Sequence, residues 1–172
     1  GVRLVGSEMC IRDRFKDLWG SHGVFTTIRL VGKPGKLVLF NNHFINLIKS
    51  LKKYKIYSKN IEEKIKALIR ANIKNNFKYN HLFRIALSKK LISISIRKRL
   101  KPSNNFELKV LNYKRIDPKY KNLQYKYILK KLNSYDATKV DVLLVYKKKI
   151  LETCTSNSVS YTHLTLPTIA VV

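Results

Sequence analysis

Ile92, Ile94 and Ile96 alternate with Ser93 and Ser95. A period of two marks a strand with one face buried, so this segment needs a sheet with apolar matter packed on one side. Residues 82–88 read as a partner strand, joined to 91–97 by a tight Lys89-Lys90 turn. Gly23 to Val31, a run of β-branched and aromatic residues, is a third strand candidate. Lys36 to Phe40 returns from it after Gly32-Lys33-Pro34-Gly35, where proline presets φ and glycine supplies positive φ.

Two amphipathic helices can cover such a sheet. In 42–54, Phe44, Leu47, Ile48 and Leu51 fall at i, i+3, i+4 and i+7. In 60–74 the stripe is Ile61, Ile65, Leu68, Ile69 and Ile73. Burying each such side chain contributes roughly 1.5–3 kcal/mol before entropy. Asn60 stands at the N-cap with Glu63 placed for a capping box, and Glu62-Glu63 suits the helix dipole. A loop follows at 101–105, then a strand over Phe106 to Tyr113 and a break at Asp117-Pro118. Beyond it the pattern predicts a helix from Lys121 to Tyr135 and a hairpin of Val140–Tyr146 with Lys149–Thr153.

The expected fold class is therefore α+β. A small N-terminal domain, 15–116, holds mostly antiparallel strands and two helices. A second domain begins over 117–157.

The two ends stand apart. Met9-Cys10-Ile11-Arg12-Asp13 can be encoded ATG TGT ATA AGA GAC. The reverse complement, GTC TCT TAT ACA CAT, reads Val159-Ser160-Tyr161-Thr162-His163. An inverted repeat at both ends of a reading frame resembles translated DNA-library adapter. Residues 1–14 and 158–172 are accordingly expected to be adapter-derived tails and are set aside from the fold.

The formal net charge of +26 invites a nucleic-acid reading. The cations are mostly lysines, however, and travel with Ile, Asn, Tyr and Phe, all spelled by AT-rich codons. They are scattered over every element. Only Arg97-Lys98-Arg99 with Lys101 is dense, and that reads as a solvated strand end. Outside the tails Cys154 is the single cysteine, so neither a disulfide nor a cysteine metal site forms within one chain. A reducing, cytoplasmic setting fits. No run approaches the ~18 apolar residues of a membrane span. No His, Cys and carboxylate cluster suggests a metal. No phosphate-binding glycine loop is present, and no Ser-His-Asp order stands out.

The stretch 121–157 concentrates the remaining chemistry. Lys121-Asn122-Leu123-Gln124 opens it and Glu152-Thr153-Cys154-Thr155-Ser156-Asn157 closes it. A lysine and a distant glutamate that can meet across a fold suit an aldehyde cofactor with a ring nitrogen: the amine forms a Schiff base and the carboxylate keeps the ring protonated. These two segments, with Gly23-Val24-Phe25-Thr26-Thr27-Ile28-Arg29 upstream, resemble the class IV pyridoxal-phosphate aminotransferases. That family includes branched-chain and D-amino-acid aminotransferases and aminodeoxychorismate lyase. The Phe-Thr-Thr form is similar to the lyase branch, and the resemblance covers roughly Leu18 to Asn157.

The resemblance implies pyridoxal 5'-phosphate as cofactor and Lys121 as the catalytic Schiff-base lysine. It implies Glu152 against the ring nitrogen and Thr155, Ser156 and Asn157 toward the phosphate. His43 matches the histidine of a His-x-x-Arg pattern whose arginine holds that phosphate, but Asn46 occupies the arginine position and brings no charge. Gln124 stands where the family usually has Asn. Arg84 and Phe25 fall at the substrate. The implied substrates are a small amino or keto acid or aminodeoxychorismate, handled by a homodimer in the parent protein, with no membrane and no nucleic acid. The chain itself is expected to be an N-terminal fragment, ending after the Ser-Asn motif, and not a competent enzyme. Two alternatives remain: a small basic RNA-binding protein, and a non-catalytic relative that kept the fold and lost the cofactor.

Overall fold

The structure is a computed structural model and describes residues 18–155. The expected tails lie outside the described residues. The chain forms two sheets. The first contains β1 (Gly23–Gly32), β2 (Lys36–Leu37), β3 (Tyr79–Ser88) and β4 (Ile92–Lys98) in the order β2-β1-β3-β4, every pair antiparallel. The second contains β5 (Glu107–Asn112), β6 (Val140–Tyr146) and β7 (Lys149–Thr153) in that order. The α+β class is as expected.

Two helices, α1 (Phe40–Lys53) and α2 (Ile61–Asn72), cover one face of the first sheet. Alternation decides which face. Val24, Ile28 and Leu30 on β1 join Phe83, Ile85 and Leu87 on β3, all at most 1% exposed, and Ile92, Ile94 and Ile96 pack beside them. The stripes Phe44-Leu47-Leu51 and Ile61-Ile65-Ile69 close over this face. Ile48 and Ile73 pack at its margin.

Three local expectations differ from the structure. First, β2 stops at Leu37. Leu39 adopts φ 53 and turns the chain into α1, where Phe40 stacks on Phe44 at 5.3 Å rather than continuing a strand. Second, Asn60 sits at the N-cap of α2 but makes no side-chain cap bond. Its ψ of 11° departs from the extended conformation that aims a capping oxygen, so the capping box does not form. Third, the helix expected from Lys121 starts five residues later, as α3 (Lys126–Leu132).

The third difference organises the molecule. Residues 121–123 make their backbone hydrogen bonds with β1 and the turn before it. Phe25 N–H donates to Lys121 O at 2.8 Å, Leu123 N–H to Gly23 O at 2.9 Å, and Gly20 N–H to Leu123 O at 2.8 Å. Asn122 and Val24 form an antiparallel bridge. Gly23 permits this approach. A Cβ there would run into the Leu87 carbonyl oxygen and come within 2.5 Å of Leu123 Cδ1.

In the second sheet β5 and β6 run parallel, and β6 and β7 antiparallel with a register irregularity at Leu144/Val145. A parallel pair needs a crossover, and the segment carrying α3 provides it. Ile128 and Tyr125 pack on Val142 and Leu144. Strand β5 precedes Asp117-Pro118 in sequence yet pairs in this second sheet. Trp19 and Phe25 pack on both the Leu18-Ala86-Leu123 cluster and the Tyr125-Ile128-Val142-Leu144 cluster, forming the seam between the sheets.

Candidate active site

Lys121 lies at that seam, fixed through its carbonyl to β1. The segment after it is held just as firmly. Asn122 is 1% exposed, donates through Nδ2 to Ile116 O at 2.8 Å, and accepts Gln124 N–H on Oδ1 at 3.1 Å. Gln124 Nε2 reaches the carbonyls of Gly20 and Ser21 at 3.1 and 3.2 Å. The amide that replaces the expected asparagine thus ties the lysine segment to the turn before β1.

The Lys121 ammonium is held below its ordinary pKa. Lys121 is exposed overall, so partial desolvation of the amine by its neighbours, the largest cause, acts on only part of the side chain; the Arg115 and Arg84 guanidiniums lower the pKa further, and Glu152 opposes them. Lys121 and Glu152, 31 positions apart in sequence by subtraction of their numbers, therefore share one electrostatic neighbourhood. Glu152 is carried there on β7 beside Leu144.

Arg115 is the residue that sequence reasoning missed. Its Nε meets Glu152 Oε1 at 2.6 Å and its Nη2 meets Oε2 at 2.9 Å, a two-pronged pair with side-chain exposures of 6% and 30%. Nη2 also donates to Pro118 O at 2.9 Å, and the guanidinium carbon lies 5.2 Å from the Tyr125 ring centre. Burial is the largest single influence and lowers the Arg115 pKa; the hydrogen bond with Glu152 and the nearby Tyr125, Glu152 and Cys154 together outweigh it and hold the group above its ordinary value. The available signal was an arginine, in a lysine-dominated chain, just before the Asp117-Pro118 turn.

Asp141 was missed as well. Fully buried on β6, it accepts Thr155 N–H at 3.1 Å and Thr155 Oγ1–H at 2.8 Å. Both Thr155 donors are thus engaged within the protein, and Asp141 fixes the turn after β7. Ser156 and Asn157 lie outside the described residues. Between them and Glu152, burial and then the Asp141 and Glu152 carboxylates push the Cys154 thiol up to about 12.

His43 Nδ1 pairs with Thr26 Oγ1 at 3.2 Å. Burial, then Lys121, lower the His43 pKa, so α1 does bring this histidine toward the lysine. Asn46 is exposed; its carbonyl accepts the Ser50 hydroxyl at 2.7 Å. Phe25 meets Trp19 edge-on at 5.0 Å and Tyr125 at 5.9 Å. Arg84 donates through Nε to Thr27 Oγ1 at 3.2 Å, with its guanidinium 5.4 Å from the Trp19 ring and 5.9 Å from that of Phe25. The structure thus gathers Lys121, Glu152, Arg84, Phe25 and His43. It leaves Asn46 at the surface and engages the Thr155 N–H and hydroxyl with Asp141.

Two surface cavities, of about 420 and 480 Å³, are lined by His22, Ser88, Lys89 and Lys90 and by residues 103–105, Glu107, Lys139 and Val140. Neither is lined by Lys121 or Glu152. Among the described residues no group of His, Cys, Asp and Glu could hold a metal ion, and no helix is long and apolar enough to cross a membrane.

The family described as amino-transferase class IV matches residues 23–168, and the chain belongs to that family. The match begins at β1 and runs past the Ser-Asn motif. Three solved structures, each provisionally named 4-amino-4-deoxychorismate lyase, share the fold. One superposes with a TM-score of 0.59 at 16% identity, covering 89% of this chain and 63% of its own. One from Haemophilus somnus 129pt gives 0.54 at 16%, over 77% and 68%. One from Legionella pneumophila subsp. pneumophila str. Philadelphia 1 gives 0.53 at 18%, over 88% and 60%. The chain thus spans 63% of the first of these proteins. No curated protein matched the chain in a search.

Proposed function

We propose that this chain carries the reactive lysine and the ring-facing carboxylate of a pyridoxal-phosphate-dependent aminotransferase or 4-amino-4-deoxychorismate-lyase-like enzyme. The observation that carries this reading is the placement of Lys121: its backbone is pinned to β1 at the seam, and its ammonium, although the residue is exposed, is disfavoured by partial desolvation and by Arg115 and Arg84 beside Glu152. A neutral amine is what nucleophilic and proton-transfer chemistry at that nitrogen needs.

The residues suit the cofactor. Lys121 offers an amine with a lowered pKa. Glu152 offers a partly exposed carboxylate already oriented by Arg115. When bound, pyridoxal 5'-phosphate supplies an aldehyde that links to amines and a protonated ring nitrogen that withdraws electrons. Lys121 Nζ would hold the aldehyde and, as a free amine, would take up and return a proton. Glu152 would hold the ring nitrogen, with Arg115 keeping that carboxylate in place. Ser156 and Asn157 serve the phosphate, with Thr155 shaping the turn through Asp141. His43 lines the cofactor side. Arg84 and Phe25 face the substrate, a small amino or keto acid or aminodeoxychorismate. Asn46 contributes no charge to phosphate binding, and the non-catalytic alternative draws on this point. The full-length protein is a cytoplasmic homodimer in this reading, with the first domain over 15–116 and the second opening at 117.

Borohydride fixation tests the assignment. The protein is mixed with pyridoxal phosphate and reduced, and the modified lysine is located by peptide mass spectrometry. Preferential labelling of Lys121, lost in Lys121→Ala with no other lysine gaining, supports it. Labelling spread over surface lysines in proportion to exposure removes it.

A further inference from the structure

Charge is unevenly spread along the chain. From Lys64 to Phe106, which takes in most of α2 and all of β3 and β4, the sequence holds twelve lysines and arginines and no aspartate or glutamate. The codons GAT and GAA are themselves rich in A and T, so a codon bias toward lysine does not by itself strip a segment of acids. The dense run Arg97-Lys98-Arg99 lies near the end of this stretch. From sequence it reads as a solvated strand end. The structure sets it beside three aromatic rings.

Phe77, Tyr79 and His81 pack on one another, with centroids 4.8 Å apart for Phe77 and Tyr79, 5.7 Å for Phe77 and His81, and 5.6 Å for Tyr79 and His81. Tyr79 anchors the group. It is buried, its hydroxyl accepts Lys74 N–H at 2.9 Å, and a Cβ on Gly35 would come within 2.7 Å of its ring. Asn80 N–H donates to His81 Nδ1 at 3.0 Å and fixes that ring. Phe77 is 48% exposed, so two held rings support a third that faces water. Lys98 lies opposite His81 in the register and projects to the same side. Arg99 N–H donates to Asn80 O at 3.2 Å, and Lys74 and Lys78 flank Phe77 in sequence. All four of these cations are exposed.

We propose that Phe77 and His81, with Lys74, Lys78, Lys98 and Arg99, form a docking surface for single-stranded RNA. Every base has a π-face that can stack on an exposed ring, and the cations meet the phosphates beside it. A duplex keeps those faces stacked on each other. Asn75 and Asn76, exposed in the turn before Phe77, offer amides to base edges and to the 2'-hydroxyl, which favours RNA over DNA. The surface is remote from the reactive lysine. Gly23, at the Lys121 end of β1, pairs with Ser88, and Gly32, at the other end, pairs with Tyr79. At ~3.4 Å per residue those ends stand about 30 Å apart. The inference therefore stands or falls separately from the enzyme reading.

Fluorescence anisotropy of a labelled oligo(U) tests it on the full chain, against oligo(dT), a duplex RNA of equal length and inorganic polyphosphate. Oligo(U) is expected to bind about tenfold more tightly than the duplex, and Phe77→Leu should weaken it about tenfold, the loss of one base stack. Phe77→Trp should keep the affinity. Lys98→Gln should reduce the slope of log K against log salt by about 0.7, one phosphate contact. Polyphosphate has charge but no bases, so it should bind Phe77→Leu as it binds the parent. Far-UV circular dichroism is recorded for each variant; Phe77 lies outside the core, so its substitution leaves the fold testable. Oligo(U) affinity unmoved in Phe77→Leu, or equal affinity for the duplex, overturns the surface and leaves only diffuse attraction between opposite charges. Oligo(dT) binding as tightly as oligo(U) overturns the assignment to RNA. Sedimentation with phosphatidylserine vesicles that is lost in Phe77→Leu, with oligo(U) binding unchanged, overturns it in favour of a lipid surface. Saturating oligo(U) should leave borohydride labelling of Lys121 as it was; protection of Lys121 would put the RNA at the amine and overturn this placement.

Discussion

Arg115 closes both arms of its guanidinium on Glu152, at 2.6 and 2.9 Å, and joins the Asp117-Pro118 turn to the second sheet. Removing either partner strands the other. Arg115→Met should destabilise the fold by about 3 kcal/mol, as for other buried charge pairs broken from one side. The double change Arg115→Met with Glu152→Met should recover much of that loss. Urea unfolding of the three variants measures the coupling, and additivity within error would refute it.

Gly23→Ala probes the seating of the lysine segment. The added methyl meets the Leu87 carbonyl and the Leu123 side chain, while Gly23 O must still accept Leu123 N–H. Overpacking of this kind costs roughly 1–3 kcal/mol. The same shift should slow borohydride labelling of Lys121 more than any other lysine. A stability loss with unchanged labelling would show that β1 does not position the amine.

Stability should depend on pH through Lys121. The fold disfavours its ammonium, so its folded pKa lies below the ordinary 10.5. The unfolded chain keeps the proton to higher pH, and stability rises as pH climbs from the lowered value toward 10.5; below that window the full penalty is present. Lys121→Met should therefore be more stable than the parent near about pH 7 and lose that advantage toward about pH 10. Denaturant midpoints across the range read this out. A difference that grows with pH would reverse the sign and reject it.

Asn46→Arg restores the charge that the family pattern expects on α1. The position is exposed, so stability should change by no more than about 0.5 kcal/mol. Affinity for pyridoxal phosphate should tighten about tenfold, the effect of a charge-assisted hydrogen bond of ~1.5 kcal/mol. Pyridoxal without phosphate should bind as before. Equal tightening for both ligands would place the phosphate elsewhere.

The first sheet was legible because periodicity carried it. Ile92-Ser93-Ile94-Ser95-Ile96 could satisfy only a half-buried strand, and the stripes of α1 and α2 named the face that covers it. Lys121 and Glu152 stood out through the motifs around them. Arg115 and Asp141 did not, because their meaning lies in partners 37 and 14 residues away in sequence. The parallel pairing of β5 with β6 was equally hidden: nothing within Phe106 to Tyr113 distinguishes a parallel neighbour from an antiparallel one. The early start assigned to the helix at Lys121 had a similar cause. Local propensity favoured a helix, and backbone bonds to Gly20, Gly23 and Phe25 prevailed.

Lys121 hangs from the rim of one sheet and Glu152 rides on the other, with Trp19, Phe25 and Tyr125 wedged at their junction. The reach between amine and carboxylate is therefore a joint angle as much as a side-chain length. Swapping one of those three rings for a bulkier or slimmer one would open or narrow the gap with every charged group left intact, a route by which relatives could come to accept molecules of different girth.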